Sequence, residues 1–304
     1  MKAVQFSRYG GTAVLETVRL PTPKPGPGQL LVRVVATGVN PVDFLVRRGL
    51  RQEIFRITFP SGTGSDFAGV VDAVGAEVAD IRPGDEVFGS TAFAALAEYV
   101  LVDRSQVAAK PGALPWSVAG SLAVAGSTAY DALASQSVTA ADTALVSAAN
   151  GGVGVILAQL ARRTGATVIG TASTRNHPFL HSVGIIPVAY GEGGVDRIRN
   201  AAGSGITVAF DQWGDETIEQ AIELGVPRER INTVATDPTK YGVRRVGRQG
   251  MHPQTLALLA DLVVTGGLVL PEPEVFPFEE YRSAIARAET RHAPARVVIQ
   301  GGSL

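Results

Sequence analysis

Apolar positions along the chain follow two rules. Over the first third they form short runs rich in Val and aromatic residues, at 2–6, 30–36, 68–74 and 86–88. Such runs, separated by Pro and Gly, predict strands. The tract Pro21-Thr22-Pro23-Lys24-Pro25-Gly26-Pro27-Gly28 predicts a rigid extended connector. Arg82-Pro83-Gly84-Asp85 predicts a turn. Near Pro115 the pattern changes. Residues 116–135 have helical character, interrupted at Gly126. Apolar strands at 143–147, 167–171, 185–189, 207–210 and 231–235 follow, with helices at 153–164 and 215–224 between them. Strands alternating with helices predict a parallel sheet with right-handed crossovers. Helices at 255–264 and 279–289 and a strand at 295–299 end the chain. No repeat and no low-complexity segment interrupts this order.

The sharpest local signal is Ser147-Ala148-Ala149-Asn150-Gly151-Gly152-Val153-Gly154, which follows a strand and opens a helix. In that setting a glycine-rich turn predicts dinucleotide binding. Gly151 lets backbone approach a pyrophosphate, and Gly154 lets the helix pack on the strand. The N–H groups near Gly152 and Val153 point at the anion, aided by the helix dipole. Ala149 stands where the fingerprint has its first Gly.

The residues after the second strand choose the nucleotide. NAD-binding folds place an acid about 20 residues beyond the turn, for the ribose 2′-hydroxyl. Here the chain reads Gly170-Thr171-Ala172-Ser173-Thr174-Arg175, with no carboxylate. Ser173 and Arg175 can instead hydrogen-bond a 2′-phosphate, so the expected cofactor is NADPH. Ser173 is equally suited to capping the next helix.

Composition narrows the classes. The 304 residues suffice for two domains, and 45% hydrophobic against 18% charged residues supports a packed core. Net charge is −1, and no basic block argues for nucleic acid or an anionic membrane. The densest positive run, Arg244, Arg245 and Arg248, reads as a solvated turn. The chain has no cysteine, which removes disulfides, thiolate zinc sites, iron–sulfur clusters and a cysteine nucleophile. There is no apolar run of about 18 residues to cross a membrane. The N-terminus has too few apolar residues for a signal peptide. A soluble cytoplasmic protein is the default expectation.

Four segments together resemble a known family: Gly38-Val39-Asn40-Pro41-Val42-Asp43, Gly64-Ser65-Asp66-Phe67-Ala68-Gly69-Val70-Val71, Ser127-Thr128-Ala129-Tyr130 and the Ala149-to-Gly154 turn. Their order and spacing resemble the zinc-independent quinone oxidoreductase branch of the medium-chain dehydrogenase/reductases, over essentially the whole chain. The resemblance implies an α/β fold: a doubly wound Rossmann sheet plus a GroES-like β-barrel catalytic domain, with the active site in the cleft. The corresponding boundaries are 1–114 for the catalytic domain, 115–249 for the NADPH-binding domain and 250–304 for the return to the catalytic domain. It also implies a homodimer.

The zinc-dependent relatives hold a catalytic metal with Cys and His. Asn40 stands at the first of these positions and Ser65 at the second, a poor ligand set, so no metal is expected. His177, His181, His252 and His292 lie away from these motifs. His177 and His181 are four apart with Pro178 between them, and read as surface or helix-end residues.

The resemblance implies hydride transfer from NADPH to a quinone or an α,β-unsaturated carbonyl. It assigns polar positioning near the nicotinamide to Asn40, whose other reading is a cap before Pro41. Asp43 orients neighbours. Thr128 resembles the residue beside the nicotinamide, or is simple helix packing. Tyr190 resembles a contact to the adenosine phosphates, or is a half-buried loop aromatic. Two departures stand out. Arg48-Gly49-Leu50-Arg51-Gln52 lacks the Tyr that many relatives carry, leaving solvent to supply the proton. Ser127 replaces an apolar residue. Two other readings remain: an enoyl reductase for acyl-thioester or polyketide-like chains, and a non-catalytic NADPH-binding module.

Overall fold

The computed structural model describes residues 1–247, 252–290 and 296–301. They fall into two compact units: Met1–Val124 with Met251–Gly267 and Pro271–Leu304, and Ala125–Gly250 with Leu268–Leu270. The first unit thus continues past Leu114 to Val124. Gly250, Arg248, His292 and Ala295, which carry sequence expectations, lie outside the described residues.

In chain order the structure begins with β1 (Lys2–Phe6), β2 (Glu16–Arg19), β3 (Gln29–Gly38), helix α1 (Pro41–Arg47), β4 (Ser61–Gly62) and β5 (Asp66–Val74). Then come β6 (Glu86–Ser90), β7 (Tyr99–Asp103), β8 (Val107–Ala109), α2 (Trp116–Ala119) and α3 (Ala123–Ala134). The alternating region holds β9 (Thr143–Val146), α4 (Gly154–Arg163), β10 (Thr167–Ala172), α5 (His177–Ser182), β11 (Ile186–Ala189) and α6 (Gly194–Ala202). It continues with β12 (Val208–Asp211), α7 (Asp215–Glu223), β13 (Ile231–Thr233) and β14 (Arg244–Arg245). The chain closes with α8 (Pro253–Val264), β15 (Glu274–Pro277), α9 (Tyr281–Ala288) and β16 (Val297–Gln300).

The first unit is built on a seven-stranded sheet of order β15-β16-β3-β5-β6-β8, with β7 also paired to β3. β3 supplies the centre because Leu30, Leu31 and Val32 are buried one after another, and Leu30 and Val32 pack with Phe67, Val71, Val87 and Val100. The C-terminal strand β16 adds antiparallel to β3 through Val298 opposite Gly38 and Ile299 opposite Thr37. The tail therefore completes a sheet begun by the N-terminal third.

In the second unit six parallel strands run in the order β11-β10-β9-β12-β13-β14. The order steps outward both ways from β9, the doubly wound arrangement whose carboxyl edge binds ligands. Leu145, Ile169, Val188, Ala209 and Ile231 from successive strands pack with Ile198 and Ile218 of α6 and α7.

Two local expectations are corrected. The helix over 116–135 breaks at Gly120–Leu122 rather than at Gly126, which lies inside α3. Gly120 accepts the Gly38 N–H, and a Cβ there would stand 2.7 Å from the Ala36 carbonyl oxygen. Contact with β3, not propensity, sets the break. His177 and His181 lie at the two ends of α5, as read, and Pro178 between them occupies its first turn, where its missing N–H is harmless. Arg244 and Arg245 form a short exposed edge strand on β13 rather than a turn. No helix among the described residues is long and apolar enough to cross a membrane.

Candidate active site

The glycine-rich turn follows β9 directly. Ser147 and Ala149 are buried, and Ala148 takes a left-handed φ of 46°. A non-glycine residue in that region marks backbone held by its surroundings. The Gly151 N–H closes on the Ala148 carbonyl at 2.7 Å. A Cβ at Gly154 would stand 2.2 Å from the same oxygen, so glycine is required where α4 begins. Ala149 in place of the usual first Gly is also accounted for. Across from it on β10 lies Gly170, where a Cβ would come within 2.6 Å of the Ala149 methyl. Gly170 thus leaves room for the Ala149 methyl.

Three buried polar atoms at this edge have no partner: Oδ1 of Asn150 in the turn, and both amide atoms of Gln212 just after β12. Orphaned buried groups at such a site fit a ligand with hydroxyls and phosphates. After β10, Ser173 is half-buried and accepts from Asn176 Nδ2 at 3.1 Å, while Arg175 is exposed. Ser173 is the N-cap residue of the turn at Thr174–Asn176, without a side-chain cap bond. With Gly152 and Val153 ahead of α4, these groups fit an NADPH adenosine end; no carboxylate opposes a 2′-phosphate there. Tyr190 follows β11 in a loop, is 48% exposed, and stacks against Trp213.

The first unit holds a buried polar network around Asn40, the residue capping α1 ahead of Pro41. Its backbone N–H donates to Asp43 Oδ2 at 2.8 Å, and its side-chain Nδ2 donates to Asp66 Oδ2 at 2.9 Å. Ser65 Oγ donates to Asp43 Oδ1 at 2.5 Å, and the Val124 N–H donates to Asp66 Oδ1 at 2.7 Å. Asn40 thus caps α1 and is itself held by two buried carboxylates. Burial pushes the Asp43 carboxyl up to about 7, outweighing the hydrogen bonds from Ser65 and the Asn40 N–H that favour its charge. Behind Asp66 lies Arg296, 4% exposed, whose guanidinium nitrogens have no hydrogen-bond partner. Burial lowers its pKa to about 10, and the nearby Asp66 opposes that shift.

Thr128 is buried in α3 beside Ser127, in the second unit. His177 and His181 sit on α5, and no three His, Cys, Asp or Glu among the described residues come together as a metal site.

Sequence reading did not single out Asp66, Arg296, Asp211 or Trp213. Asp211 is fully buried at the end of β12. Its Oδ1 accepts the Trp213 and Gly214 N–H groups at 2.8 Å, and its Oδ2 accepts Thr233 Oγ1 at 2.6 Å. The available signal was a charged residue at the edge of an apolar strand: Asp66 at the start of β5, Asp211 at the end of β12 and Arg296 just before β16. A tyrosine also stands beside the segment said to lack one: a Cβ at Gly49 would lie 3.1 Å from the Tyr9 ring.

A family model described as the alcohol dehydrogenase GroES-like domain matches residues 26–139. The NADPH-dependent alkenal/one oxidoreductase of Arabidopsis thaliana chloroplasts is 31% identical over 317 residues, covering 98% of this chain and 79% of that one. The 2-methylene-furan-3-one reductase of Solanum lycopersicum is 36% identical over 319 residues, with the same two coverages. Among solved structures, the quinone oxidoreductase from Coxiella burnetii matches with a TM-score of 0.86 at 30% identity, covering 99% of both chains. A GroES-like unit, a doubly wound nucleotide-type sheet and full-length relatives at this identity converge, and the chain belongs to the quinone oxidoreductase branch of the medium-chain dehydrogenase/reductase superfamily.

Proposed function

We propose that Asn40, Asp43 and Thr128 carry the reaction of this enzyme. We assign its cofactor to Gly151, Gly152, Val153, Gly154, Ser173, Arg175 and Tyr190. The enzyme is an NADPH-dependent oxidoreductase acting on a quinone or an α,β-unsaturated carbonyl. The observation that carries the cofactor reading is the turn after β9 joined to an acid-free end of β10 bearing Ser173 and Arg175.

Bound NADPH supplies hydride to the electrophilic carbon of the acceptor. The chain's part is binding and orientation. Gly152 and Val153 offer backbone N–H groups to the pyrophosphate, and Gly154 keeps α4 close enough for its dipole to act. Arg175 and Ser173 hold the 2′-phosphate by charge-assisted hydrogen bonds. Asn40 is fixed from two sides by Asp43 and Asp66, so its carboxamide meets the reacting groups in one orientation. Thr128 offers a hydroxyl beside the nicotinamide. Solvent supplies the proton that completes reduction of an enone. Asn40 and Ser65 are poor zinc ligands, which supports zinc-independent chemistry. We assign the first unit to catalysis and the second to NADPH, and take the working form as a cytoplasmic homodimer.

The test is NADPH oxidation, followed by absorbance, with a panel of quinones and enones. Turnover that requires an acceptor and survives exhaustive chelation is expected. Binding of NADPH with no turnover across the panel would leave a nucleotide-binding module instead.

A further inference from the structure

Phe93 is half-buried and takes a left-handed φ of 57°, which a bulky side chain rarely adopts. Its flanks hold it there. The Thr91 N–H donates to the Ser65 carbonyl at 2.8 Å, and the Ala95 N–H to the Gly64 carbonyl at 3.0 Å. Thr37 Oγ1 donates to the Ala95 carbonyl at 2.9 Å. A Cβ at Gly62 would stand 2.4 Å from the Phe93 carbonyl oxygen, so the strained residue is also met from the side. Strain that the surroundings over-determine collects at functional sites. Ala148, in the glycine-rich turn, is another non-glycine residue with a left-handed φ.

The loop that carries Phe93 leaves the buried polar network directly. Ser90 at the end of β6 pairs with Asp66 at the start of β5, and Thr91 follows. Phe55 comes from the other segment leaving that network, the one after α1, the helix that Asn40 caps. The two rings meet edge to face, with centroids 5.4 Å apart and planes 87° from parallel. Phe55 is also half-buried, and Leu50 and Ile54 on its segment are 54% and 48% exposed. Apolar surface of this kind beside a few fixed polar groups is the make-up of a small-molecule site.

We propose that Phe93, held against Phe55, is the ring on which a flat, electron-poor acceptor stacks, so that the site selects quinones over small aliphatic enones. The inference rests on the oxidoreductase reading above and names the acceptor class within it. A quinone's carbonyls draw electron density out of its ring, and the face of a phenyl ring carries the negative end of its quadrupole. Edge-to-face packing on a pinned backbone fixes both rings, so little order is lost when the acceptor arrives. Glycine would take this φ without strain. Backbone geometry therefore gives no reason for a phenyl ring at position 93, and contact with the acceptor does.

The test compares the KM for naphthoquinone, a flat ring, with that for methyl vinyl ketone, a small enone, in steady-state NADPH oxidation. Phe93→Gly suits the left-handed backbone and should fold. It should raise the quinone KM by about five- to tenfold, the scale of one aromatic contact, while the enone KM hardly changes. Phe93→Tyr keeps the ring and should keep the quinone KM. Equal changes in both KM values, or none, overturn the proposal and leave the oxidoreductase reading standing. No turnover of either acceptor by the wild-type protein overturns both. If Phe93→Gly melts early, Phe93→Leu decides. It keeps apolar bulk without a ring, and a quinone KM at the wild-type value there overturns the stack.

Discussion

Asn40 gives a side-chain N–H to the buried carboxylate of Asp66 at 2.9 Å. A carboxylate whose other oxygen takes the Val124 N–H can only accept. The Asn40 amide is therefore fixed with nitrogen inward and Oδ1 directed away from Asp66. Asp66→Asn puts an amide donor against one of these donors and frees the Asn40 carboxamide to turn. Its kcat is expected to fall about tenfold, the scale of a hydrogen bond to a charged group. If Asp66 acts through Asn40, the loss disappears in an Asn40→Ala background, so the double variant matches Asn40→Ala alone. Additive losses in steady-state kcat would make Asp66 a purely structural residue.

The glycine corner yields a second prediction. At Gly154 a Cβ would meet backbone, the Ala148 carbonyl oxygen at 2.2 Å, which no rotamer change relieves. Gly154→Ala is expected to raise the NADPH Kd by at least about tenfold and to lower stability by about 1–3 kcal/mol, as overpacking does. Gly151→Ala meets the same oxygen at 3.0 Å and should lose less. Calorimetric titration of both variants ranks them, and equal affinities would contradict the geometry.

Legibility differed between the two units for physical reasons. Five of the six parallel strands were readable to within one or two residues at most ends because they are buried on both faces, as Leu145 and Ile169 illustrate, whereas exposed β14 was read as a turn. In the first unit β2, β4, β7, β8 and β15 were missed: cross-strand pairing rather than a bounded apolar run defines them. At the site, Asn40 and Asp43 were visible as a motif, but their tie to Asp66 joins residues 26 apart. Trp213 gave no signal because its ring contact with Tyr190 joins the loops after β11 and β12, which are far apart in the chain. That Gly170 makes room for the Ala149 methyl joins positions 21 apart in the chain, a contact that only the packing of β10 against the turn exposes.

Cofactor choice gives a third prediction. Arg175 is exposed after β10, and no acid stands in the segment Ser173 to Arg175. Arg175→Ala should raise the KM for NADPH by roughly tenfold, given about 1.5–3 kcal/mol for a charged hydrogen bond in a partly screened site. The KM for NADH should hardly change. Equal shifts would move the 2′-phosphate elsewhere.

The last prediction concerns pH. Burial raises the Asp43 carboxyl from its ordinary 3.8 to about 7, so the folded protein keeps a proton that the unfolded chain releases. Between those values folding takes up a proton, and stability must fall as pH rises. The contribution of protonated Asp43 is full below about 3.8 and is lost as pH passes through about 7. Asp43→Asn imitates the protonated form: its amide oxygen can still accept the Asn40 N–H, and its NH2 can donate to Ser65 Oγ. Wild type and variant should therefore melt at similar temperatures near pH 4. By pH 8 the variant should be the more stable protein, because it no longer carries a buried charge. Thermal melts at intervals across that range measure the divergence directly. Curves that stay parallel would mean that Asp43 ionises as freely in the fold as in water, and that the network with Ser65 and Asn40 fully compensates its burial.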